Sequence, residues 1–101
     1  IDDNRYAEAY VREKSNLAGW GARKISVQLR SKGISQEIIK KALGQIDGDS
    51  QQHKLEDKLR RKLKSIKAVG DYELRGKLLR YALSLGYDYD TATQIIDRVL
   101  S

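Results

Sequence analysis

Apolar residues recur at helical spacing along nearly the whole chain. The most regular stretch, residues 21–43, predicts a helix, a turn at Gly33 and a second helix. Ile25 and Leu29 fall on one face of the first of these helices, and Gly33 suits the left-handed conformation that ends a helix. Ser35 then stands where an N-cap oxygen is needed. The pattern predicts a helical hairpin.

The same spacing predicts four further helices, at residues 3–15, 51–67, 71–85 and from about 90 to the end of the chain. The residues expected to face inward are Tyr6, Ala7, Tyr10 and Val11; Leu55, Leu59, Leu63 and Ile66; Leu74, Leu78, Tyr81, Ala82 and Leu85; and Ala92, Ile95, Ile96, Val99 and Leu100. We expect Asp3 or Asn4 to cap the first helix and Asp71 the helix at 71–85, which Gly86 should end.

The six predicted helices form two copies of one unit, residues 1–46 and 47–101, around a polar connection at 44–52. Aligning the two helix-ending glycines pairs Ile25 with Leu78, Leu29 with Ala82, Ile34 with Tyr87, and Tyr6 and Tyr10 with Leu59 and Leu63. A three-helix unit of this size needs a neighbour to pack against, and Trp20 is expected to pack between the two. We therefore predict an all-α fold of two tandem three-helix repeats, whose right-angled hairpins pack into an elongated, solenoid-like body.

The composition leaves little room for catalysis. Of the 101 residues none is Cys, which excludes disulfides, thiolate zinc sites and a cysteine nucleophile. The single histidine, His53, has no second His or Cys to complete a metal site, and no nucleophile or phosphate-loop motif accompanies it. The acidic pairs at 2–3, 47–49 and 88–90 stand at predicted helix starts, which favours capping over metal binding. We expect no enzymatic activity, no cofactor and no metal.

The net charge of +6 favours an acidic partner, which is a nucleic acid, an anionic protein surface or a membrane face. No apolar run approaches the ~20 residues of a membrane span, and no signal-peptide pattern opens the chain, so we expect a cytoplasmic protein without a membrane partner. The basic faces of three predicted helices supply the candidate partner- or DNA-binding residues Arg23, Lys24, Arg30, Lys32, Lys54, Lys58, Arg61, Lys62, Arg75, Lys77 and Arg80. The alternative is scattered, solvated charge.

Three stretches resemble the RecX family, whose members regulate the recombinase RecA. The first is IDDNRYAEAYVREK at 1–14, which is similar to the family's DD-x-x-[FY]-A helix. The second is GWGARKISVQLRSKGIS at 19–35, similar to its G-x-x-[KR]-I-x-x-x-L-x-x-K-G-I hairpin, and the third is KLLRYALSLGYDYDTATQIID at 77–97, similar to its closing L-x-R-x-G-[FY] repeat. The resemblance implies a fragment that holds the second and third three-helix repeats, with residues 1–3 as the tail of a first.

The resemblance also implies a function. RecX proteins bind RecA filaments on DNA along the helical groove, block filament growth and lower ATPase, strand-exchange and coprotease activities, without a cofactor or catalysis. On this basis we expect a regulator of recombination, repair and the SOS response whose partner is the RecA filament. Any contact with single- or double-stranded DNA should be weak and independent of sequence.

Two other functions fit the residue pattern. Residues 21–43 match a helix-turn-helix DNA-binding module with Gly33 in the turn. Its second helix, however, starts with Ser35, Gln36 and Glu37, and one Gln and one Glu are weak base readers. The remaining alternative is a helical scaffold for an unrelated protein. Binding to defined and random duplexes at one salt concentration separates the DNA-binding module from the filament regulator.

Overall fold

The computed structural model describes residues 2–68 and 70–101, and all regular structure within them is helical. Ile1 and Val69, which belong to the predicted units, lie outside the described residues. The helices are α1 (Asp3–Arg12), α2 (Ala22–Ser31), α3 (Gln36–Leu43), α4 (Gly48–Ser65), α5 (Asp71–Ser84) and α6 (Tyr89–Leu100). The body measures 51 × 23 × 21 Å. The predicted all-α fold is confirmed, and the body is elongated.

The turn between α2 and α3 forms as predicted. Gly33 has a φ of 84°, and the amide of Ile34 donates to the carbonyl of Leu29 at 3.1 Å, which closes the end of α2. The Ser35 hydroxyl accepts from the third amide of α3 at 3.3 Å. The same arrangement ends α5, where Gly86 has a φ of 99°. Both glycines satisfy the last carbonyls of a helix in a conformation that costs other residues free energy.

The cap of α1 differs from the prediction. The carboxylate of Asp2, rather than that of Asp3 or a side chain at Asn4, accepts hydrogen bonds at the start of α1. Its donors are the amides of Asn4 at 3.1 Å and Arg5 at 3.2 Å. The cap therefore lies one residue before the predicted positions, whereas α1 begins at residue 3 as predicted.

The first helix, predicted to end at residue 15, extends two residues further, because α1 continues as a π-helical segment, Glu13–Leu17. The buried hydroxyl of Ser15 donates to the carbonyl of Val11 at 2.7 Å. A Ser hydroxyl that bonds the carbonyl four residues earlier competes with the helix's own amide for that carbonyl. This competition gives a local reason for the wider π-helical turn.

The starts of α4 and α6 and the cap of α5 also differ from the prediction. Helix α4 begins at Gly48, so the polar connection predicted at 44–52 is only residues 44–47. Gly70 is the N-cap residue of α5, whereas Asp71 lies inside the helix. Asp88 caps α6 through its carboxylate, so α6 starts at Tyr89. These are shifts of a few residues at helix ends, where sequence signals are weakest.

The core consists of two hydrophobic clusters. The first contains Ala7, Val11, Ile25, Leu29, Ile34, Ile39 and Ala42, and the second contains Leu55, Leu59, Leu78, Ala82, Tyr87, Ala92, Ile95, Ile96 and Val99. Because one cluster is built from α1–α3 and the other from α4–α6, we propose a division at residue 46, as the repeat predicts. The described residues up to 46 are called the first unit below, and those from 47 onward the second unit.

Burial supports most of the predicted repeat alignment. Ile25 and Leu29 are buried, as are their counterparts in the second unit. Tyr6, in contrast, is 43% exposed, whereas its predicted counterpart Leu59 is fully buried. The buried residues of α1 are Ala7 and Val11, so these residues, and not Tyr6, correspond in burial to Leu55 and Leu59. Tyr10 and its predicted counterpart Leu63 are both partly buried against their own clusters.

Main-chain hydrogen bonds join the two units. The amide of Gly21 donates to the carbonyl of Leu85 at 2.7 Å, and the amide of Arg23 donates to the carbonyl of Gly86 at 3.0 Å. A Cβ atom on Gly21 would lie 2.4 Å from the Gly86 oxygen, and one on Gly86 would lie 2.5 Å from the Cβ of Lys24. The junction therefore requires glycine on both sides.

Side chains of the second unit also hold the loop before α2. The Tyr87 hydroxyl donates to the carbonyl of Gly19 at 2.9 Å, and the Gln51 amide donates to the carbonyl of Trp20 at 3.1 Å. Burial raises the pKa of Tyr87 to about 12. Tyr87 is buried in the second cluster as Ile34 is in the first, so it occupies the predicted position and also contacts the first unit.

Candidate interaction surface

The predicted binding residues of α4 have different surroundings. Lys58 packs its aliphatic chain against the first unit's loop at the junction, and Lys54 donates to a serine hydroxyl one turn earlier at 2.7 Å. The ammonium of Lys62 lies 5.0 Å from the centroid of the Tyr81 ring. Arg61 is exposed, and its guanidinium donates to a main-chain carbonyl of its own helix. Arg61 is thus the member of this group that faces solvent most freely.

The α5 residues are mostly paired. The Arg75 guanidinium contacts the carboxylates of Asp97 at 2.6 Å and Asp71 at 3.0 Å, and these hydrogen bonds raise the pKa of Arg75. Lys77 lies 3.3 Å from a glutamate carboxylate one turn earlier. Arg80 makes no hydrogen bond or ion pair with the residues that the structure describes. Its charge is therefore available to a partner.

Three of the predicted residues meet in a groove of about 610 Å³ between the end of α4 and α5. We call it the basic groove, and it is defined by Lys62, Lys67, Lys77 and Arg80. No acidic side chain is among the described residues that line it. Lys67 was not among the predicted site residues. It was expected inside the helix predicted at 51–67, but α4 ends at Ser65, and the place of Lys67 in the groove depends on tertiary structure.

A second group of cations lies on the first unit around two aromatic rings. The ammonium of Lys24 is 4.3 Å from the centroid of the Trp20 ring, and that of Lys14 is 4.9 Å from the same ring. Lys32 lies 5.8 Å from the Tyr10 ring, which meets the Trp20 ring edge-on at 6.5 Å between centroids. We call these five residues the lysine–aromatic cluster. Lys14 was missed by the sequence prediction; its i,i+4 spacing from Tyr10 was the available signal.

The Trp20 side chain was expected to pack between the units, and this expectation is wrong. Its ring packs against the first hydrophobic cluster and Tyr10, while its main-chain carbonyl is what contacts the second unit. Of the other α2 cations, Arg30 donates to Ser26 and Gln36 of its own hairpin at 3.2 and 3.3 Å.

Arg23 lies near the start of α6. Hydrogen bonds from Thr91 hold the pKa of Asp88 below its usual range, and the positive charge of Arg23 lowers that pKa further. Arg23 therefore has a carboxylate of the second unit as an electrostatic neighbour.

Asp2 and Asp88, which belong to the predicted acidic pairs, cap the helices α1 and α6 through their carboxylates. His53 is exposed, and its Nδ1 lies 2.9 Å from the carbonyl of Asp49. Within residues 2–68 and 70–101, no group of three or more His, Asp or Glu side chains is placed to hold a metal. No helix in the same part of the chain is long and apolar enough to cross a membrane.

Comparisons with known proteins agree on one family. Residues 2–43 match a family model described as the second three-helix domain of RecX. The chain is 36% identical over 102 residues to "Regulatory protein RecX" of Clostridium perfringens strain 13, covering 98% of this chain and 47% of that protein. It is 32% identical over 100 residues to the protein of the same name in Mycolicibacterium smegmatis, covering 95% of this chain and 53% of that protein.

Solved structures give the same result. The crystal structure of RecX from Lactobacillus salivarius superposes with a TM-score of 0.79 at 29% identity, covering 98% of this chain and 64% of that one. A second crystal structure, of "regulatory protein RecX", superposes with a TM-score of 0.81 at 28% identity, covering 96% of this chain and 48% of that one. The chain spans about half the length of the curated relatives it matches. In its all-α fold and in its sequence, over 95% or more of its length, the chain is thus similar to proteins of the RecX family.

Proposed function

We propose that the chain is a non-enzymatic inhibitor of RecA, which binds the groove of the RecA–DNA filament and limits its extension, ATP hydrolysis and strand exchange. The observation that carries the proposal is the match of both units to proteins named regulatory protein RecX, over 95% or more of this chain. Because the chain spans about half of those relatives, their whole activity need not reside in these two units. A cytoplasmic location is part of the proposal.

The charge distribution suits such a partner. The basic groove concentrates four cations without an acidic lining residue in the part of the chain that the structure describes. Cationic surfaces speed up binding to acidic or phosphate-bearing partners, and salt weakens that binding. Direct DNA contact in this setting is sequence-independent, because the groove offers charge and no base-reading helix.

The helix-turn-helix alternative gains little support from the geometry. The α2–α3 turn has a suitable length, but the side-chain oxygen of Gln36 already accepts from Arg30 at 3.3 Å. Helix α3 spans eight residues, and its first turn offers only Glu37 as a further polar reader. We therefore rank this alternative second.

The deciding experiment measures DNA-dependent ATP hydrolysis by the recombinase of the same organism, titrated with the chain. We expect dose-dependent inhibition that weakens as salt is raised. Replacing Lys67 and Arg80 of the basic groove by Gln should reduce inhibition. The matched control replaces Lys40 and Lys41, two exposed α3 lysines, and has the same change in net charge.

Three outcomes distinguish the possibilities. Inhibition that falls for the groove variant but not for the α3 control supports both the function and the groove as a contact. Equal inhibition by all versions removes the groove from the contact surface. No inhibition by the unmodified chain, at any ratio to RecA, refutes the proposed function for these two units.

A further inference from the structure

The three lysines of the lysine–aromatic cluster form no ion pair with a carboxylate among the described residues. All ion pairs found among the described residues belong to the second unit, where they engage Arg60, Arg75, Lys77 and Arg98. In the described part of the first unit, the lysines of the cluster lie over rings instead. A cation over an aromatic ring keeps its full charge, so the cluster remains a positively charged surface.

The fold also fixes where these ammonium groups stand. Lys14 belongs to the π-helical segment, and its carbonyl accepts from the amide of Trp20 at 2.9 Å. This bond ties the loop before α2 to the end of α1, where the Trp20 ring lies within 5 Å of the ammonium groups of both Lys14 and Lys24. π-helical turns of this kind occur often at functional sites. Side chains held in this way lose less conformational entropy on binding than free lysines do.

We propose that the lysine–aromatic cluster binds an acidic segment of a partner protein through its carboxylates. Each ammonium has three N–H donors, and contact with a ring face leaves donors free for carboxylate oxygens. Three ammonium groups around two rings match a segment that carries two or three Asp or Glu residues close together. This inference rests on the proposed function and adds to it a second contact with the RecA filament, which lies on the first unit.

Ring coverage favours a carboxylate ligand over a nucleic acid. Single-stranded nucleic acids bind aromatic surfaces by stacking bases on open ring faces. Trp20 is partly buried against the first hydrophobic cluster, and two lysine ammonium groups lie within 5 Å of its ring centroid. A base could stack there only by displacing a lysine, whereas a carboxylate would meet the lysines where they stand.

The test uses Trp20 as a probe, because it is the only tryptophan of the sequence. The chain is titrated with a tryptophan-free peptide that carries four glutamates in eight residues, and separately with an oligothymidylate of equal charge. Tryptophan fluorescence reports binding at the cluster. The Lys24→Gln/Lys32→Gln variant should bind the peptide about fourfold more weakly, because it removes two exposed ion pairs and each contributes a factor of about two. The Lys40→Gln/Lys41→Gln variant is the charge-matched control.

The inference is supported if the peptide changes Trp20 fluorescence and only the cluster variant loses affinity. It is overturned if the peptide leaves the fluorescence unchanged, if both variants weaken equally, or if only the oligothymidylate depends on the cluster. Both variants are then compared as inhibitors of RecA ATP hydrolysis. Full inhibition by the cluster variant refutes the cluster as the filament contact and leaves the proposed function intact. Failure of the unmodified chain refutes the proposed function, while the peptide titration still decides whether the cluster binds carboxylates.

Discussion

Alanine at Gly86 is expected to separate the two units. The left-handed φ of 99° costs an alanine about 1 kcal/mol. The added Cβ would lie 2.5 Å from the Cβ of Lys24 and 2.6 Å from its amide nitrogen, and neither atom can move without moving α2. The main-chain hydrogen bonds of 2.7 and 3.0 Å across the junction must therefore break, at about 1 kcal/mol each. The expected loss in the free energy of unfolding is about 3 kcal/mol.

Gly33 supplies the matched control. It has a φ of 84°, but a Cβ there would meet nothing within 4 Å. Gly33→Ala should therefore cost only the backbone term of about 1 kcal/mol. The entropy that alanine removes from the unfolded chain is the same in both variants and cancels in the comparison.

Urea unfolding followed by circular dichroism and by Trp20 fluorescence measures both variants. A difference of about 2 kcal/mol corresponds to a melting temperature about 10 °C lower for Gly86→Ala than for Gly33→Ala. Coincident transitions of the two probes are needed for this comparison, because a separated second unit can unfold on its own. Equal losses for the two variants would refute the main-chain junction as an important source of stability.

Three further predictions concern single side chains. Asp88→Ala removes the cap of α6 and should cost about 1 kcal/mol at neutral pH. Because hydrogen bonds from Thr91 lower the folded-state pKa of Asp88, the stability that the cap contributes is present above the ordinary pKa of 3.8 and is lost as pH falls through the folded-state pKa. Urea unfolding in acid should therefore show a smaller difference in stability between the unmodified chain and Asp88→Ala. Burial raises the pKa of Tyr87 to about 12, so its contribution to the free energy of unfolding is full below the ordinary pKa of 10.0 and is lost as pH rises through about 12. In an ultraviolet titration, the Tyr87→Phe variant should lack the phenol that ionises near pH 12. Leu59→Ala, in the second core, should cost about 3 kcal/mol in urea unfolding, whereas Leu17→Ala, 83% exposed, should cost less than about 0.5 kcal/mol, and similar costs would contradict the burial pattern.

Local signals were enough to predict the helices. Gly33 and Gly86 end α2 and α5 as expected, because left-handed backbone and the carbonyls it satisfies depend on neighbouring residues alone. The π-helical segment was not predicted, since the hydroxyl of Ser15 and the packing of Trp20 that accompany it leave no periodic pattern.

The candidate surface was less predictable than the fold. Charge spacing along α4 suggested a continuous basic face, but it could not show that Lys58 packs at the junction. The basic groove combines residues from two helices and the stretch between them, and the lysine–aromatic cluster combines residues from α1, the π-helical segment, the loop before α2, and α2. Such sets form only when the helices pack, so spacing within one helix identifies single members and not the group.

The main-chain junction has an evolutionary consequence. Every residue type supplies the same carbonyl, and every type except proline the same amide, so the hydrogen bonds between Gly21, Arg23, Leu85 and Gly86 depend little on side-chain identity. Their main requirement is the absence of a Cβ at two positions. A duplicated three-helix unit would thus inherit a ready means of joining its parent copy. Later substitutions could then change each unit's surface for a different partner without losing the joint.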